Sequence, residues 1–382
     1  MKSLLVIGNI NSPFTKTYIS AYKKAFPEVR IDCLTLKIPD LDSVDNVDNI
    51  YINHFSNLWI KHIGKRARIG WVIGIALWTL FRQNKIKYDL IQVHYINIIH
   101  HYAYGLYKLS CKKLASVFWG SDLNKCTRVD ILQKLISKSD MINCQTKFME
   151  NKIKSYLSPS FLKKKTFTNN LFGLQLLDTI ENIRDDHETQ SLLIKELDLP
   201  QGKEIIVIGH NASPAQQHLE IIDALDRIKF KNTLFLFPMT YSGNNNYRSK
   251  VSQRLKQSQL DYRILQDYIP HNTMAALCIK TSIFVQLLED DALSGSMQEH
   301  IYAGSTVITG AWLNYQLLTE QGVKIFQIQQ VSEVANKISQ LRDIPKLTNA
   351  ELLNNANIIA KLSKWDNVIQ GWHAMLTDKK GI

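Results

Sequence analysis

Cysteine is scarce in this 382-residue chain. Its five copies, Cys33, Cys111, Cys126, Cys144 and Cys278, are an odd number and form no Cys-x-x-Cys pair. That excludes a disulfide framework or a thiolate zinc site that could be read from spacing, and it suits a reducing compartment. Long apolar runs are missing too. The longest, residues 69–81, covers 13 positions, against the ~20 that a membrane-spanning helix needs. The apolar stretch near the start runs only from Leu4 to Gly8, short of the ~7–15 residues of a signal peptide. The expectation is a cytoplasmic protein that does not cross a bilayer. A hydrophobic share of 45% with 21% charged residues rules out a disordered or fibrous chain, and the length suggests two or three domains of ~150 residues.

Acidic residues are scarce in the first half. Residues 1–180 hold 26 Lys and Arg against 12 Asp and Glu, a local excess of +14, whereas the whole chain carries +12. The basic half is therefore expected to face something anionic. No helix-turn-helix, zinc-finger or RNA-recognition pattern accompanies it, so nucleic acid is not an expected partner. A P-loop, a Gly-x-Ser-x-Gly elbow and a complete Gly-x-Gly-x-x-Gly are all absent, which removes three common phosphate and acyl chemistries. Asp40-Leu41-Asp42 and Glu289-Asp290-Asp291 are the acidic runs. Neither has metal-ligand spacing with His or Cys, and the reading is a metal-independent protein with no cofactor.

What is present is a repeated pattern of short apolar run, polar turn and amphipathic stretch. Strands are expected at 3–8, 31–36, 90–95, 115–119 and 141–145, then at 204–209, 233–238, 262–265, 282–286, 306–309 and 324–328. Helical patterns lie between them, for example 216–228, 246–256 and 271–279. Strands alternating with such helices imply parallel sheets covered on both faces. The polar stretch 181–190 and Leu199-Pro200-Gln201-Gly202 break the series in two. The expected fold is α/β, with two Rossmann-like doubly wound domains facing a central cleft at their strands' carboxyl ends.

The segment from Ser282 to Gly310 reads as strand, loop, helix, glycine stop and next strand. Ser294, Gly295 and Ser296 fall at the helix start, where unpaired N–H groups and the dipole favour phosphate oxygens. Asp291 precedes them, and Glu299 sits about one turn in, where a carboxylate can accept sugar or ribose hydroxyls. The same spacing also suits an ordinary capped helix with a solvated Glu.

A carboxylate, seven residues and a Glu, then a small residue and Gly before a Val-Ile strand, resemble the C-terminal signature of glycosyltransferase family 4. Other segments resemble that family in order. Asp89 to His94 is similar to its strand ending in His, and Phe118-Trp119-Gly120-Ser121-Asp122-Leu123 to its His-Gly-Ser-Asp turn, with Trp in place of His. Ser139 to Gln145, Asn170 to Gly173, and Lys364-Trp365-Asp366 match the next strand, the interdomain turn and the returning tail helix. The resemblance implies a GT-B fold. Its boundaries are 1–175 for an acceptor-side domain, 176–363 for a nucleotide-sugar donor domain, and a C-terminal helix 364–382 packing back on the first.

One segment departs from the family. Where an Arg and a Lys usually meet the donor pyrophosphate, Gly209 to His218 contains neither. That loop, and Phe237 to Asn244, resemble the fucosamine-type (4-acetamido-4,6-dideoxygalactose) transferases of bacterial surface polysaccharides. Donor phosphate would then rest on Asn211, Ser213, backbone N–H groups and a charged His210, unless His210 merely caps the turn. Asp122 or His94 would serve as general base on the acceptor hydroxyl if either reaches it, with an N-cap role for Asp122 and a core role for His94 as alternatives.

The remaining feature is residues 59–87. Lys61, Lys65, Arg66 and Arg68 precede the apolar run with Trp71 and Trp78; Arg82, Lys85 and Lys87 follow. A short apolar helix with Trp and flanking cations suits an anionic membrane surface, or else a core helix with charged ends. The expectation is thus a cytoplasmic transferase, peripheral on the inner face of the cell membrane. It would pass a sugar from a nucleotide-diphosphate-sugar to a lipid-linked saccharide in surface polysaccharide synthesis. The alternatives are a soluble or protein acceptor, or an inactive sugar-binding partner subunit.

Overall fold

The computed structural model describes residues 1–35, 38–40, 46–53, 64–81, 87–100, 103–124, 126, 128–200, 202–343 and 347–377. Asp42, Trp59, Lys61, Arg82 and Lys85, and the side chains of Lys65, Arg66 and Arg68, lie outside the described residues. The chain divides into two compact units. The first is Met1–Gly173 with Trp365–Ile382; the second is Leu174–Lys364.

The first unit holds a seven-stranded sheet: β1 Ser3–Ile7, β2 Arg30–Thr35, β3 Asn49–Ile52, β4 Tyr88–His94, β5 Cys111–Val117, β6 Met141–Asn143 and β7 Thr166–Thr168. The second holds six: β8 Glu204–Ile208, β9 Thr233–Pro238, β10 Tyr262–Leu265, β11 Thr281–Gln286, β12 Thr306–Gly310 and β13 Phe326–Ile328. The spatial orders are β3-β2-β1-β4-β5-β6-β7 and β10-β9-β8-β11-β12-β13. Every pairing is parallel. The central strands are runs of fully buried aliphatics, as sheets covered on both faces require.

Each sheet winds outward in one direction and then the other, so the order reverses between β1 and β4 and between β8 and β11. At such a switch point the connections leave on opposite faces and open a crevice beyond the carboxyl ends. In the second unit that crevice is bounded by the loops after β8 and β11, which carry Asn211, Ser213, Asp291 and Ser294.

The helix Trp365–Thr377 packs on the first sheet. Trp365, Ile369, Trp372, Met375 and Leu376 are buried among Leu4, Val6, Tyr18 and Ile19. Trp372 donates its Nε1–H to the Leu171 carbonyl at 2.8 Å, and Asn170 donates to the Gly371 carbonyl at 3.2 Å.

The interfacial role expected for Trp71 and Trp78 is corrected. In the helix Gly64–Phe81, Trp71 is 1% exposed and donates to the Tyr107 hydroxyl at 2.6 Å. Trp78 stacks on Tyr88 with centroids 6.3 Å apart and meets Tyr51 edge-on. Positions 71, 75 and 78 share one helical face, and that face lies on the sheet. Ile69 and Ile73 occupy the exposed side. Among the described residues, no helix is long and apolar enough to cross a membrane.

Candidate functional site

β8 ends at Ile208, and Gly209 turns the chain with φ +65°. The loop that follows is built by its own polar side chains. Asn211 Oδ1 accepts from the Ser213 N–H at 2.8 Å, and Ser213 Oγ accepts from the Ala215 N–H at 3.3 Å. Asn211 also hydrogen-bonds Tyr241, from the loop after β9. Gly243 lies in that same loop at φ +67°, where a Cβ would come within 2.0 Å of the Ala212 carbonyl oxygen. Only glycine lets the two loops approach this closely.

His210 is clamped between two glutamines. Its Nδ1 faces Gln286 Oε1 at 3.2 Å, and Gln216 Nε2 lies 3.3 Å from its Nε2. The Gln216 amide nitrogen also lies 3.1 Å from Nδ1, so the ring sits between one amide oxygen and one amide nitrogen. Burial pushes the ring's pKa down to about 4. His210 is therefore neutral at pH 7, which corrects the expected charged group, and its contact with Gln286 ties the loop to the end of β11. Beside this glutamine, the Tyr315 hydroxyl donates to Asp291 Oδ2 at 2.7 Å.

Asp291 also accepts from the Ala292 N–H at 2.9 Å, and burial raises its pKa to about 6. Three residues on, Ser294 caps the helix Gly295–Ala303, its Oγ accepting from the Met297 N–H at 3.2 Å. Gly304 closes that helix at φ +101°. The N–H groups of Gly295 and Ser296 precede the first intrahelical bond, at the positive end of the dipole. Glu299, one turn in, is half-buried, and desolvation pushes its pKa up to about 7. Among the described residues its carboxyl has no hydrogen-bond partner; the Tyr241 hydroxyl's pKa is raised by burial and, to a lesser degree, by the charge of Glu299. The second unit thus gathers His210, Asn211, Ser213, Asp291, Ser294, Gly295, Ser296 and Glu299 around one switch point. Gln216, Tyr241, Gln286 and Tyr315 were not anticipated. Gln286 had a signal, a glutamine closing the apolar run Ser282-Ile283-Phe284-Val285.

The two acceptor-side candidates stand differently. His94 ends β4 at 1% exposure, ringed by Tyr18, Trp119, Phe172 and Trp372 with centroids 5.3–6.2 Å away. Its Nε2 donates to Gln92 Oε1 at 3.1 Å, and burial lowers its pKa to about 3. It is a core residue, and the expectation of a reachable base there is corrected. Asp122 is 8% exposed and accepts four backbone N–H bonds, from Ile96 at 2.8 Å and from Trp119, Gly120 and Leu123 at 3.0 Å. Burial raises its pKa to about 6 despite them. The carboxylate clasps the end of β4 to the turn after β5. Among the described residues no group of three His, Cys, Asp or Glu could hold a metal ion.

No protein-family model matches the sequence, and no curated protein does. Solved structures match along the whole chain. A glycosyltransferase from Rickettsia africae is 12% identical, with a TM-score of 0.77 over 100% of this chain and 99% of that one. A sucrose-phosphate synthase from Thermosynechococcus elongatus is 11% identical, with a TM-score of 0.76 over 99% of each. Anabaena HepE, in complex with UDP and glucose, is 12% identical, with a TM-score of 0.76 over 99% of this chain and 100% of that one. At these identities the likeness is one of fold: two parallel-sheet α/β domains of the GT-B class.

Proposed function

We propose that the chain is a glycosyltransferase whose second unit holds a nucleotide-diphosphate-sugar and whose first unit presents the acceptor. The observation that carries this reading is Glu299, desolvated and without a partner among the described residues, one turn into a helix whose first N–H groups are open. A ribose or sugar diol satisfies such a carboxylate, and diphosphate oxygens satisfy the N–H groups. The fold shared with HepE, which was solved with UDP and glucose, supports the same donor class. Asn211, Ser213 and the backbone supply further neutral donors. Catalysis then rests on positioning and on donors preorganised for the charge that gathers on the leaving diphosphate.

The acceptor is a lipid-linked saccharide of bacterial surface polysaccharide synthesis, as the resemblance to the fucosamine-type transferases implies. The protein works in the cytoplasm. Contact with an anionic leaflet would use the exposed Ile69 and Ile73, not the tryptophans. A second reading, an inactive sugar-binding subunit, is favoured by the missing Arg and Lys and the neutral His210. Slow hydrolysis of the donor by the purified protein separates the two.

Glu299→Ala is expected to lower kcat/KM for the donor by about tenfold or more, since a hydrogen bond to a charged group contributes ~1.5–3 kcal/mol. Unchanged kinetics in a folded variant contradict the assignment. Turnover is expected to survive excess EDTA, and complete loss restored by Mg²⁺ would show that the acidic run beside Asp291 binds a metal.

A further inference from the structure

A cavity of about 240 Å³ opens in the first unit at the carboxyl ends of β4 and β5. Its floor is Ile131, Leu132 and Leu135, the apolar face of the helix Val129–Lys138, and none is more than 5% exposed. Tyr95, Cys126 and Arg128 stand around it.

Its walls are prearranged. The Asp122 clasp fixes Ile96 and the turn Trp119-Gly120 by backbone hydrogen bonds, so the opening does not depend on a ligand for its shape. Tyr95 sits at φ +59°, a conformation that few aromatic residues adopt, and the residue is 39% exposed. Held strain of this kind concentrates at binding sites. Arg128 lends the cavity a movable charge. Its guanidinium forks onto Asp130 through two bonds of 2.9 Å at the surface. An exposed pair contributes little to stability, so the planar fork can exchange that carboxylate for another oxyanion.

An apolar floor beneath an exchangeable guanidinium selects a molecule with a hydrocarbon body and an anionic group. We propose that this cavity binds the hydrocarbon next to the phosphate of a phosphate-bearing amphiphile, with Arg128 on the phosphate. The volume lies below the ~300 Å³ of the smallest usual ligand sites, so it holds only part of the molecule and leaves the remainder outside. Calling that molecule the acceptor rests on the transferase reading; its chemistry rests on the cavity alone.

Cys126 is a built-in reporter, because the other four cysteines are buried. The rate of its alkylation by iodoacetamide in the full-length protein is measured with geranyl phosphate, geraniol, glucose 6-phosphate or inorganic phosphate present. Geranyl phosphate is expected to slow alkylation at concentrations about tenfold lower than any of the other three, as a joint charge and apolar contact requires. Arg128→Gln is expected to raise the half-protecting concentration of geranyl phosphate about tenfold and to leave geraniol unchanged. Leu132→Trp, which fills the floor, is expected to abolish protection; should it fail to fold, the surface variant Arg128→Gln still decides. Equal protection by glucose 6-phosphate or inorganic phosphate would show a plain anion site and overturn the proposal, and so would no protection by geranyl phosphate. Donor binding is read separately in the second unit. Protection without nucleotide-sugar binding sinks the transferase reading alone, and donor turnover without protection sinks the cavity alone.

Discussion

Glu299 is the residue whose chemistry changes most when a donor arrives. In the unliganded chain burial holds its pKa near 7, above its ordinary 4.5. The folded state therefore keeps a proton that the unfolded state has lost. Its contribution to stability is greatest below about pH 4.5 and falls as pH rises through about 7. Hydroxyls donated to the carboxylate favour the ionised form and pull that pKa back down. Near neutral pH donor binding is therefore expected to cause proton release from this site. Calorimetry in buffers of different ionisation enthalpy measures it, and Glu299→Gln is expected to remove the difference. Identical proton counts in the two proteins would contradict the role. Little of this was legible in sequence, since spacing gives a carboxylate its place on a helix but not its solvent. The histidines show the same limit. His94 and His210 both follow apolar strands, yet one ends in an aromatic core and the other between two glutamines.

At the scale of elements, the C-terminal helix Trp365–Thr377 completes the core of the first unit from the far end of the sequence. Trp372 is fully buried against Tyr18, Phe172 and His94. Trp372→Ala is expected to destabilise that unit by about 3–5 kcal/mol, read as a lower urea midpoint with the second unit's transition unmoved. A shift below ~1 kcal/mol would mean that the helix is an accessory. All eleven strands expected from apolar runs are present. The two that were not anticipated, Asn49–Ile52 and Thr166–Thr168, are short outermost strands with half-exposed polar positions, so they lack the buried run that marks a central strand. The helix Gly64–Phe81 was visible as a helix, but its length and tryptophans fit a membrane surface and a core equally well. The spacing of 71, 75 and 78 is the detail that favours the core.

Over the whole molecule, the first half carries all of the basic excess, while the crevice of the second unit is lined by neutral donors and by the carboxyls of Asp291 and Glu299, with no Arg or Lys between Gly209 and His218. Its switch point between β8 and β11 brings Asn211, Asp291 and Glu299 to one crevice from two segments, the connections after β8 and β11. The order of strands was readable as two doubly wound sheets. The cross-links that give the crevice its chemistry were not, because Gln216, Tyr241, Gln286 and Tyr315 become neighbours only through folding. The central claim is that this crevice holds a nucleotide-diphosphate-sugar against Glu299. The most direct test is thermal unfolding of the full-length protein against UDP-, GDP- and dTDP-linked sugars, with Glu299→Ala beside the wild type. One nucleotide class is expected to raise Tm in proportion to the logarithm of its concentration, with about tenfold or weaker affinity in the variant. No stabilisation by any of the three, or equal stabilisation of both proteins, would contradict the account.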